Sequence, residues 1–590
     1  MSLLDSPETT LFEVPHHDGS ELYLLDAPDE LGGEATVRLR TRTGEADRVL
    51  LRYTRDGEPR TTLATIDEET AGETWWRATF PVTNPATRYR WLLSGGDAGY
   101  AWVNGAGLTA HEVASADDYV LTPGSTGPDW HLESVVYEIF PDRFAASGAT
   151  YDRPDWAVRK SWDELPAGRG KDNPREWFGG DLPGIEEHLD HIERVGANAI
   201  YLTPIFPAGS THRYDATTFD RVDPLLGGDA AFRSLAEACA RRGIRLIGDI
   251  TTNHVGAKHD WFVAARADAH APERSLFYFD DALPHGYEAW LGVPSLPKLD
   301  WRSDELHARM GRVLQHWIDA GLSGWRVDVA NMTGRFRAID VNHEVARFLR
   351  SRIAGALLLA EHGHDYRSDL DGSGWHGAMN YAGFLRPTWW WLRGDDYDQD
   401  VFSQAPAPHY GGGEMVDVMR QFRSGVPWDC VLHSWTLLDS HDTPRFRTVS
   451  GSRARQLVGV GLQMTTPGVP MLFMGDELGM EGRWGEDARR PIPWDAEWDT
   501  ELLDAYRALA RLRRSTGALA HGGIRYVHVS TDAVAYVRET RHETLLCLAA
   551  RRGHRTITTP FTELETLYGD DAAGGALPAH GPAFHVWRVH

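Results

Sequence analysis

Between about residue 132 and residue 505, short apolar segments alternate with longer segments in which apolar residues recur every three or four positions. The short segments are typical of buried β-strands and the longer ones of amphipathic helices. Strands that alternate with helices form a parallel sheet, because each helix carries the chain back across the sheet. The strand candidates are Val135–Phe140, Ala199–Leu202, Ile244–Ile247, Gly324–Val327, Leu357–Ala360, Ser434–Leu438 and Met471–Met474, with a weaker one near Ala378–Tyr381.

The helix candidates between these strands each have one apolar face. Ile185, Leu189 and Ile192 share such a face, and Met310, Val313, Leu314, Trp317 and Ile318 share another. Eight strand–helix units predict an α/β fold, a (β/α)8 TIM barrel with insertions. A doubly wound open sheet is the alternative, but no glycine-rich dinucleotide loop supports it.

The segments on either side of the predicted barrel have β-type patterns. We predict an N-terminal β-sandwich domain over residues 1–122 and a linker over 123–131. The barrel then covers 132–507, with an insertion at about 255–302 after the third strand. A C-terminal antiparallel β domain covers 508–590.

Composition excludes several classes of partner. Acidic residues outnumber basic ones by 85 to 60, which argues against nucleic acid and against an anionic membrane surface. Cys239, Cys430 and Cys547 are few and far apart, so they support neither a disulfide framework nor a cysteine zinc site. Met1–Ser6 lacks the basic start of a signal peptide, and no apolar run could span a bilayer, so we expect a cytoplasmic protein. The 23 tryptophans fit either core packing or the stacking of sugar rings.

Acidic, histidine and amide side chains follow several of the predicted strands. Each one alone reads as an ordinary helix N-cap or a structural group. In a parallel barrel, however, all these strand ends lie on the face that carries the chemistry. The residues concerned are Asp249, Asn253 and His254, then Arg326 and Asp328, then Glu361 and His362, then Asp439, His441 and Asp442, and finally Asp476 and Glu477.

Three of these acids, Asp328, Glu361 and Asp442, suit the cleavage of a glycosidic bond, which uses one ionised carboxylate and one protonated carboxyl group. Glu361 follows an apolar strand, so partial desolvation would favour its protonated form. Arg326 lies two residues before Asp328 on the same side of a strand, so we expect it to keep that carboxylate ionised. Two-metal chemistry is the alternative, but no His-Glu-x-x-His spacing supports it.

These segments, in this order, resemble glycoside hydrolase family 13, the α-amylase family. The matching stretches are Asp249–His254, Gly324–Asp328, Glu361–Asp365 and Leu438–Asp442. Tyr137–Phe144, Leu296–Asp300 and the β-rich N-terminal part are similar to the branch of neopullulanases, cyclomaltodextrinases and maltogenic amylases.

The resemblance implies a retaining double displacement. Asp328 would be the nucleophile, Glu361 the general acid and then base, and Asp442 the stabiliser of the transition state. Asp249 and Asn253 would be structural. The residues expected to bind substrate are His212, Tyr214, Asp215, His254, Lys298, Arg326, His441 and Arg489.

The sequence departs from that branch at several positions. Gly363 stands where a Trp is usual, and Met332 stands where a Glu is usual; both positions lie on the leaving-group side. Aligning Arg489–Pro491 with the Asp-Pro-x-x-Arg stretch of the branch puts Gly485 in place of its Asp, with Glu486 or Asp487 as substitutes.

The calcium loop of the branch is also altered. Ala145–Gly148 lacks the usual ligands, and Gly179 and Asp181 alone would not hold the ion. We therefore expect no cofactor for the chemistry and no metal among the site residues, with weak support for a structural calcium.

Three functions remain open. The first is hydrolysis of α-1,4-linked, and also α-1,6-linked, glucose in short or cyclic maltooligosaccharides by a homodimer assembled through the N-terminal domain. The second is a transglycosylase or α-glucosidase on the same scaffold. The third is a non-catalytic binding protein, against which the complete set of three acids argues.

Overall fold

The computed structural model describes residues 14–70, 72–124, 127–400 and 403–590. The predictions about Met1–Ser6 and about Ser125–Thr126 of the linker fall outside these residues. The first strands are β1 (Leu24–Asp26), β2 (Glu34–Arg42), β3 (Arg48–Arg55), β4 (Glu58–Leu63), β5 (Thr65–Glu69), β6 (Glu73–Pro81), β7 (Thr87–Gly95), β8 (Gly99–Asn104), β9 (Gly107–Thr109) and β10 (Tyr119–Leu121).

These strands form two antiparallel sheets, which confirms the predicted sandwich. One sheet has the order β1-β2-β6-β5; the other has the order β4-β3-β7-β8-β9, with β10 paired to β7. Leu39 and Trp76 of the first sheet and Leu51 and Trp91 of the second are buried in one apolar cluster. Alternate residues of β2, β3, β6 and β7 point into this core, as the period of a half-buried strand requires.

The middle of the chain is the predicted barrel. Its strands are β11 (Val136–Ile139), β12 (Val158–Arg159), β13 (Glu176–Trp177), β14 (Ala199–Leu202), β15 (Arg245–Thr251), β16 (Gly324–Asp328), β17 (Arg335–Phe336), β18 (Ile339–Asp340), β19 (Leu357–Ala360), β20 (Gly377–Ala378), β21 (Trp435–Leu437) and β22 (Val469–Phe473). In the described part of the chain, eight of them form a parallel sheet in the order β20-β19-β16-β15-β14-β11-β22-β21. The ring closes where Met379 pairs with Trp435.

Helices surround this ring. They are α1 (Asp129–Leu132), α2 (Pro141–Phe144), α3 (Leu182–Glu187), α4 (Leu189–Val195), α5 (Gly228–Arg241), α6 (Asp260–Ala267), α7 (Asp304–Asp319), α8 (Asn342–Arg352), α9 (Arg386–Leu392), α10 (Gly412–Arg423), α11 (Trp428–His433), α12 (Phe446–Ser450), α13 (Arg453–Thr465), α14 (Gly485–Ala488), α15 (Thr500–Ser515) and α16 (Gly517–His521). Helix α7 shows why the pattern predicted them. Ser303 caps its first turn, and Met310, Leu314 and Trp317 are buried along one face.

The C-terminal part is the predicted antiparallel sheet. Its strands are β23 (Gly523–Val529), β24 (Ala533–Glu539), β25 (Thr544–Ala550), β26 (Leu564–Tyr568) and β27 (Ala583–Val589), in the order β23-β24-β25-β27-β26. Strand β26 was not predicted, because this edge strand is half-exposed and lacks an alternating pattern of apolar residues. The domain limits at residues 122, 131 and 507 stay predictions.

Candidate active site

The three acids singled out by the sequence all lie at the carboxyl ends of barrel strands. Asp328 is the last residue of β16, Glu361 directly follows β19, and Asp442 lies in the loop after β21. The guanidinium group of Arg326 contacts two of them: Nη1 lies 3.3 Å from Asp328 Oδ1, and Nη2 forms an ion pair at 2.9 Å with Glu361 Oε1. Asp328 and Glu361 therefore face the same rim of the barrel.

The backbone between β16 and the following turn helps to hold Glu361. Val329 has a φ of 43°, in the left-handed region, which a β-branched residue enters only at a cost in energy. This conformation lets the Val329 N–H donate a hydrogen bond of 2.7 Å to Glu361 Oε2. Local strain is thus coupled to the position of one of the candidate catalytic carboxyl groups.

Electrostatics at Asp328 differ from the expectation. Burial raises its pKa most, and the charge of Glu361 raises it further; the nearby Arg326 lowers it but does not outweigh them. Arg326 therefore favours the ionised form of Asp328, as expected, but the net shift of the Asp328 pKa is upward.

Two neighbouring buried atoms of the site, Asp328 Oδ2 and His254 Nε2, have no hydrogen-bond partner in the described residues. They lie 3.9 Å apart. Asn253 donates to His254 Nδ1, and its amide is oriented by Lys298, so the proton of a neutral His254 ring sits on Nε2. Burial lowers the pKa of His254 to about 3, and the charge of Lys298 adds to this effect. An acceptor and a donor are thus left open side by side, which is the arrangement expected where a ligand binds.

Beneath these groups, Asp249 organises the site. Its carboxylate accepts hydrogen bonds from Tyr201 at 2.5 Å, from Tyr214 at 2.9 Å and from Arg326 at 3.0 Å. Asp249 is therefore placed to orient Arg326 and Tyr214 from below, in keeping with the structural role that the sequence suggested.

Asp442 lies on the opposite side, and its side chain is 40% exposed. Arg489 Nη2 donates to its Oδ1 at 2.8 Å, and His441 Nε2 lies 3.3 Å from its Oδ2. Burial in the cleft opposes ionisation of Asp442, but the charges of His441, Arg489 and Arg326 prevail and lower its pKa. The pKa of Asp442 is thus shifted in favour of the ionised form, in the direction opposite to that of Asp328.

Sequence reasoning missed Glu138, which lies in the interior strand β11. Its Oε1 accepts a short hydrogen bond from His441 Nδ1, and its side chain is buried. Burial alone would lower the pKa of His441, but Asp442 and Glu138 raise it above the ordinary value. The available signal was an acid inside an otherwise apolar strand, which is rarely found without a partner.

The remaining predicted binding residues fall into two groups. Tyr214 stacks on His441 with ring centroids 5.7 Å apart, and His212 stacks on Tyr214 at 5.8 Å, so both rings line the same wall. In contrast, Asp215 accepts hydrogen bonds from its own loop, from Gly209 N at 3.0 Å and from the hydroxyl of Ser210. Lys298 likewise donates to Asn253 and to the carbonyl group of Met332. Sugar contacts of Asp215 and Lys298 stay predictions.

The positions at which the sequence departs from the branch differ in how much space surrounds them. Nothing lies within 4 Å of the place where a Cβ on Gly363 would stand, so this part of the rim is open. A Cβ on Gly485 would lie 2.6 Å from the carbonyl oxygen of Asp442, which leaves no room for a side chain. Asp487 forms an ion pair with Arg490 at 2.7 Å, so its carboxylate already has a partner within the protein.

The loop that resembles the calcium site has other contacts. The carboxylate of Asp181 accepts hydrogen bonds from Gly184 N at 2.7 Å, from the Ser147 hydroxyl at 2.6 Å and from the Tyr151 hydroxyl at 2.8 Å. Donors therefore occupy both oxygens, a use that does not suit a ligand of a cation that takes six to eight oxygens. These residues do not fit a calcium ion, and we derive no step through one.

Comparisons with known proteins agree with this geometry. The family profile described as "Alpha amylase, catalytic domain" matches residues 138–352. Neopullulanase 2 of Thermoactinomyces vulgaris is 30% identical over 96% of this chain and 96% of its own length. The chain belongs to the α-amylase family.

This α-amylase family member is also similar to two proteins that act on cyclic sugars, judged by their names. A cyclomaltodextrinase of Bacillus sp is 29% identical over 71% of this chain and 73% of its own length. The solved structure of the cyclic α-maltosyl-(1→6)-maltose hydrolase of Arthrobacter globiformis superposes with a TM-score of 0.67 and 30% identity, covering 78% of this chain and 99% of that one. Within the described residues, no helix is both long and apolar enough to cross a bilayer.

Proposed function

We propose that the chain is a retaining hydrolase of α-1,4-glucosidic bonds in short or cyclic maltooligosaccharides, with α-1,6 bonds as a second linkage. Its family membership makes it an α-glucan-acting glycosidase. The observation that carries the finer proposal is the pair of open atoms, Asp328 Oδ2 and His254 Nε2, beside a second carboxyl group, Glu361, on the same guanidinium.

In the first step, Asp328 Oδ2 attacks the anomeric carbon, and the bond from this carbon to the glycosidic oxygen breaks. Glu361 transfers its proton to that oxygen, so the leaving sugar departs as an alcohol and Glu361 becomes a carboxylate. This step uses Asp328 as the carboxylate and Glu361 as the acid. A sugar hydroxyl that approaches His254 and Asp328 stabilises the ionised form of Asp328 against the burial that raises its pKa.

In the second step, Glu361 removes a proton from water. The water oxygen attacks the anomeric carbon, and the ester bond to Asp328 breaks. Asp442, kept ionised by His441 and Arg489, stabilises the positive charge that develops on the sugar in both steps. Two inversions at one carbon give net retention of configuration.

The names of the similar proteins support short and cyclic maltooligosaccharides as substrates. The relatives bear the names neopullulanase and cyclomaltodextrinase, and the superposed structure is named for a cyclic mixed-linkage tetrasaccharide. The open rim at Gly363 offers room for a bulky or ring-shaped leaving group. We also propose a cytoplasmic homodimer joined through the N-terminal sheets; elution as a monomer in dilute gel filtration would refute the dimer.

A transglycosylase is the second candidate. The observation in its favour is the half-buried, apolar Met332, which lies four residues after Asp328. The resemblance places this position on the leaving-group side, where an apolar side chain holds no water by hydrogen bonds and so favours a sugar acceptor at high sugar concentration.

Product analysis tests both candidates. Cyclodextrins, pullulan, maltotriose and a cyclic maltosyl-maltose are each incubated with the protein, and the products are separated. We expect shorter linear sugars from the cyclodextrins and from maltotriose. Products longer than the substrate would favour the transglycosylase, and no cleavage of any of these sugars by folded protein would refute the proposed function.

A further inference from the structure

A cavity of 400 Å³ lies between two segments at the carboxyl end of the barrel. The segment between β11 and α3 contributes Trp162 to Leu165, and the segment after β22 contributes Met480, Glu481, Arg490, Pro491 and Pro493 to Ala496. The indole N–H of Trp162 donates to the carbonyl group of Ile492 at 2.8 Å and so ties the two loops together. Volumes of this size are typical of sites for small molecules.

The walls of this cavity are apolar rings and aliphatic groups. Trp162 and Trp494 are half-buried, and both indole N–H groups are already bound inside the protein, to Ile492 and to the carbonyl group of Phe144. Their remaining exposed surface is therefore carbon. Leu165 at the rim is 63% exposed, although it is a large apolar residue. A ligand that covers these groups would gain from burying apolar surface.

The rim of the cavity is acidic. Asp163 and Asp495 lie there and are exposed, and within the described residues they form neither a hydrogen bond nor an ion pair. The one guanidinium group on the wall, that of Arg490, is neutralised by Asp487 at 2.7 Å. This charge pattern disfavours an anionic ligand and suits one with many hydroxyl donors.

We propose that this cavity is an accessory binding site for a neutral α-glucan segment, separate from the site of cleavage. The ring face of Trp162 stacks on the C–H face of glucose, and Asp163 and Asp495 accept hydrogen bonds from its hydroxyls. Trp494, whose ring packs on His188 with centroids 4.1 Å apart, adds apolar contact through its exposed part. Arg490, which lines the cavity, directly follows Arg489, which contacts Asp442. A chain long enough to extend past Asp442 could therefore occupy both places. This inference rests on the proposed action on α-glucans.

The test compares a long and a short substrate in the full-length enzyme. KM is measured for maltoheptaose and for maltotriose with the wild type, with Trp162→Ala and with Leu165→Ala. The matched control is Leu63→Ala, which removes a leucine of similar exposure (54%) in the N-terminal part. We expect Trp162→Ala to raise the ratio of the maltoheptaose KM to the maltotriose KM by roughly twofold to tenfold, the effect of losing one ring contact. Leu165→Ala should give a smaller increase and Leu63→Ala none.

An unchanged ratio in both Trp162→Ala and Leu165→Ala would overturn the proposal. So would an equal rise in KM for both substrates, since this would place the residues in the cleft itself. Because Leu165 is exposed and makes no structural hydrogen bond, its variant tests the site even if Trp162→Ala destabilises the loops. If the wild type cleaves neither sugar, it is the proposed function that fails, and the two failures are thereby distinguished.

Discussion

At the carboxyl end of the barrel, buried polar atoms of Asp328 and His254 are left open, and Val329 beside them adopts a strained backbone conformation. At the amino end, buried histidines are joined to one another. Trp435 donates to His131 Nε2 at 2.8 Å, and His131 is hydrogen-bonded to His433 at 2.9 Å between their Nδ1 atoms. His433 Nε2 also lacks a hydrogen-bond partner in the described residues, although it lies 3.7 Å from Asp429 Oδ1. The hydrogen bonds among His131, His433 and Trp435 stabilise the fold, whereas open atoms beside a strained backbone, on the face that carries the chemistry, are available for a ligand.

The largest effect is expected from Asp328→Asn. The amide cannot attack the anomeric carbon, so kcat should fall by about 10⁴-fold or more. Stability should not fall, because the neutral amide replaces a carboxyl group whose ionised form is disfavoured by burial and by the charge of Glu361. Turnover and the apparent Tm are measured side by side. Asp319→Asn at the end of α7 is the control, and residual activity within tenfold of the wild type would exclude Asp328 as the nucleophile.

A smaller effect is expected from Glu138→Gln. Because the pKa of His441 is raised, its imidazolium form persists to a higher pH than that of an ordinary histidine. This form is lost as the pH rises through the raised pKa. Without the Glu138 charge, that loss occurs at lower pH, so the alkaline limb of the kcat profile should move down in pH. At neutral pH we expect a reduction of roughly tenfold to hundredfold, the value of a hydrogen bond to a charged group.

Glu138→Asp serves as the control for this change, because it keeps the charge and should recover part of the pH profile. An alkaline limb that is identical in the wild type and in Glu138→Gln would show that Glu138 does not act through His441.

The smallest effect on catalysis is expected from His131→Phe at the amino end. This change leaves Trp435 Nε1 and His433 Nδ1 without partners in the interior, at a cost of about 1–3 kcal/mol. The apparent Tm should fall, while kcat stays within about twofold of the wild type, because no strand end at the candidate site is altered. A loss of activity without a loss of Tm would contradict the division of roles between the two ends.

The sequence predicted most of the barrel because buried parallel strands are short apolar runs with polar residues at one end. Asp328 and Glu361 lie at the end of their strands, as this pattern predicted. Asp249 was expected to follow its strand, but β15 extends to Thr251, so Asp249 lies inside the strand and below the rim. The sixth strand was barely visible because only Gly377–Ala378 pair regularly, and two residues carry no pattern.

Other features of the site depend on three-dimensional contacts that no local pattern encodes. The charge balance at Asp328 follows from burial and from Glu361, which lies far along the chain, rather than from its neighbour Arg326. The ion pair of Glu138 with His441 joins strand β11 to the loop after β21. The exclusion of any side chain at Gly485 depends on the backbone of Asp442.

The central claim is that Asp328 attacks the sugar and Glu361 then activates water. The most direct test follows the anomeric proton of the newly formed reducing end by NMR during the first moments of maltotriose cleavage, before mutarotation. The account predicts that the α-anomer appears first and that the β-anomer accumulates only later, at the rate of mutarotation. Initial release of the β-anomer would show a single displacement by water and would contradict the role assigned to Asp328.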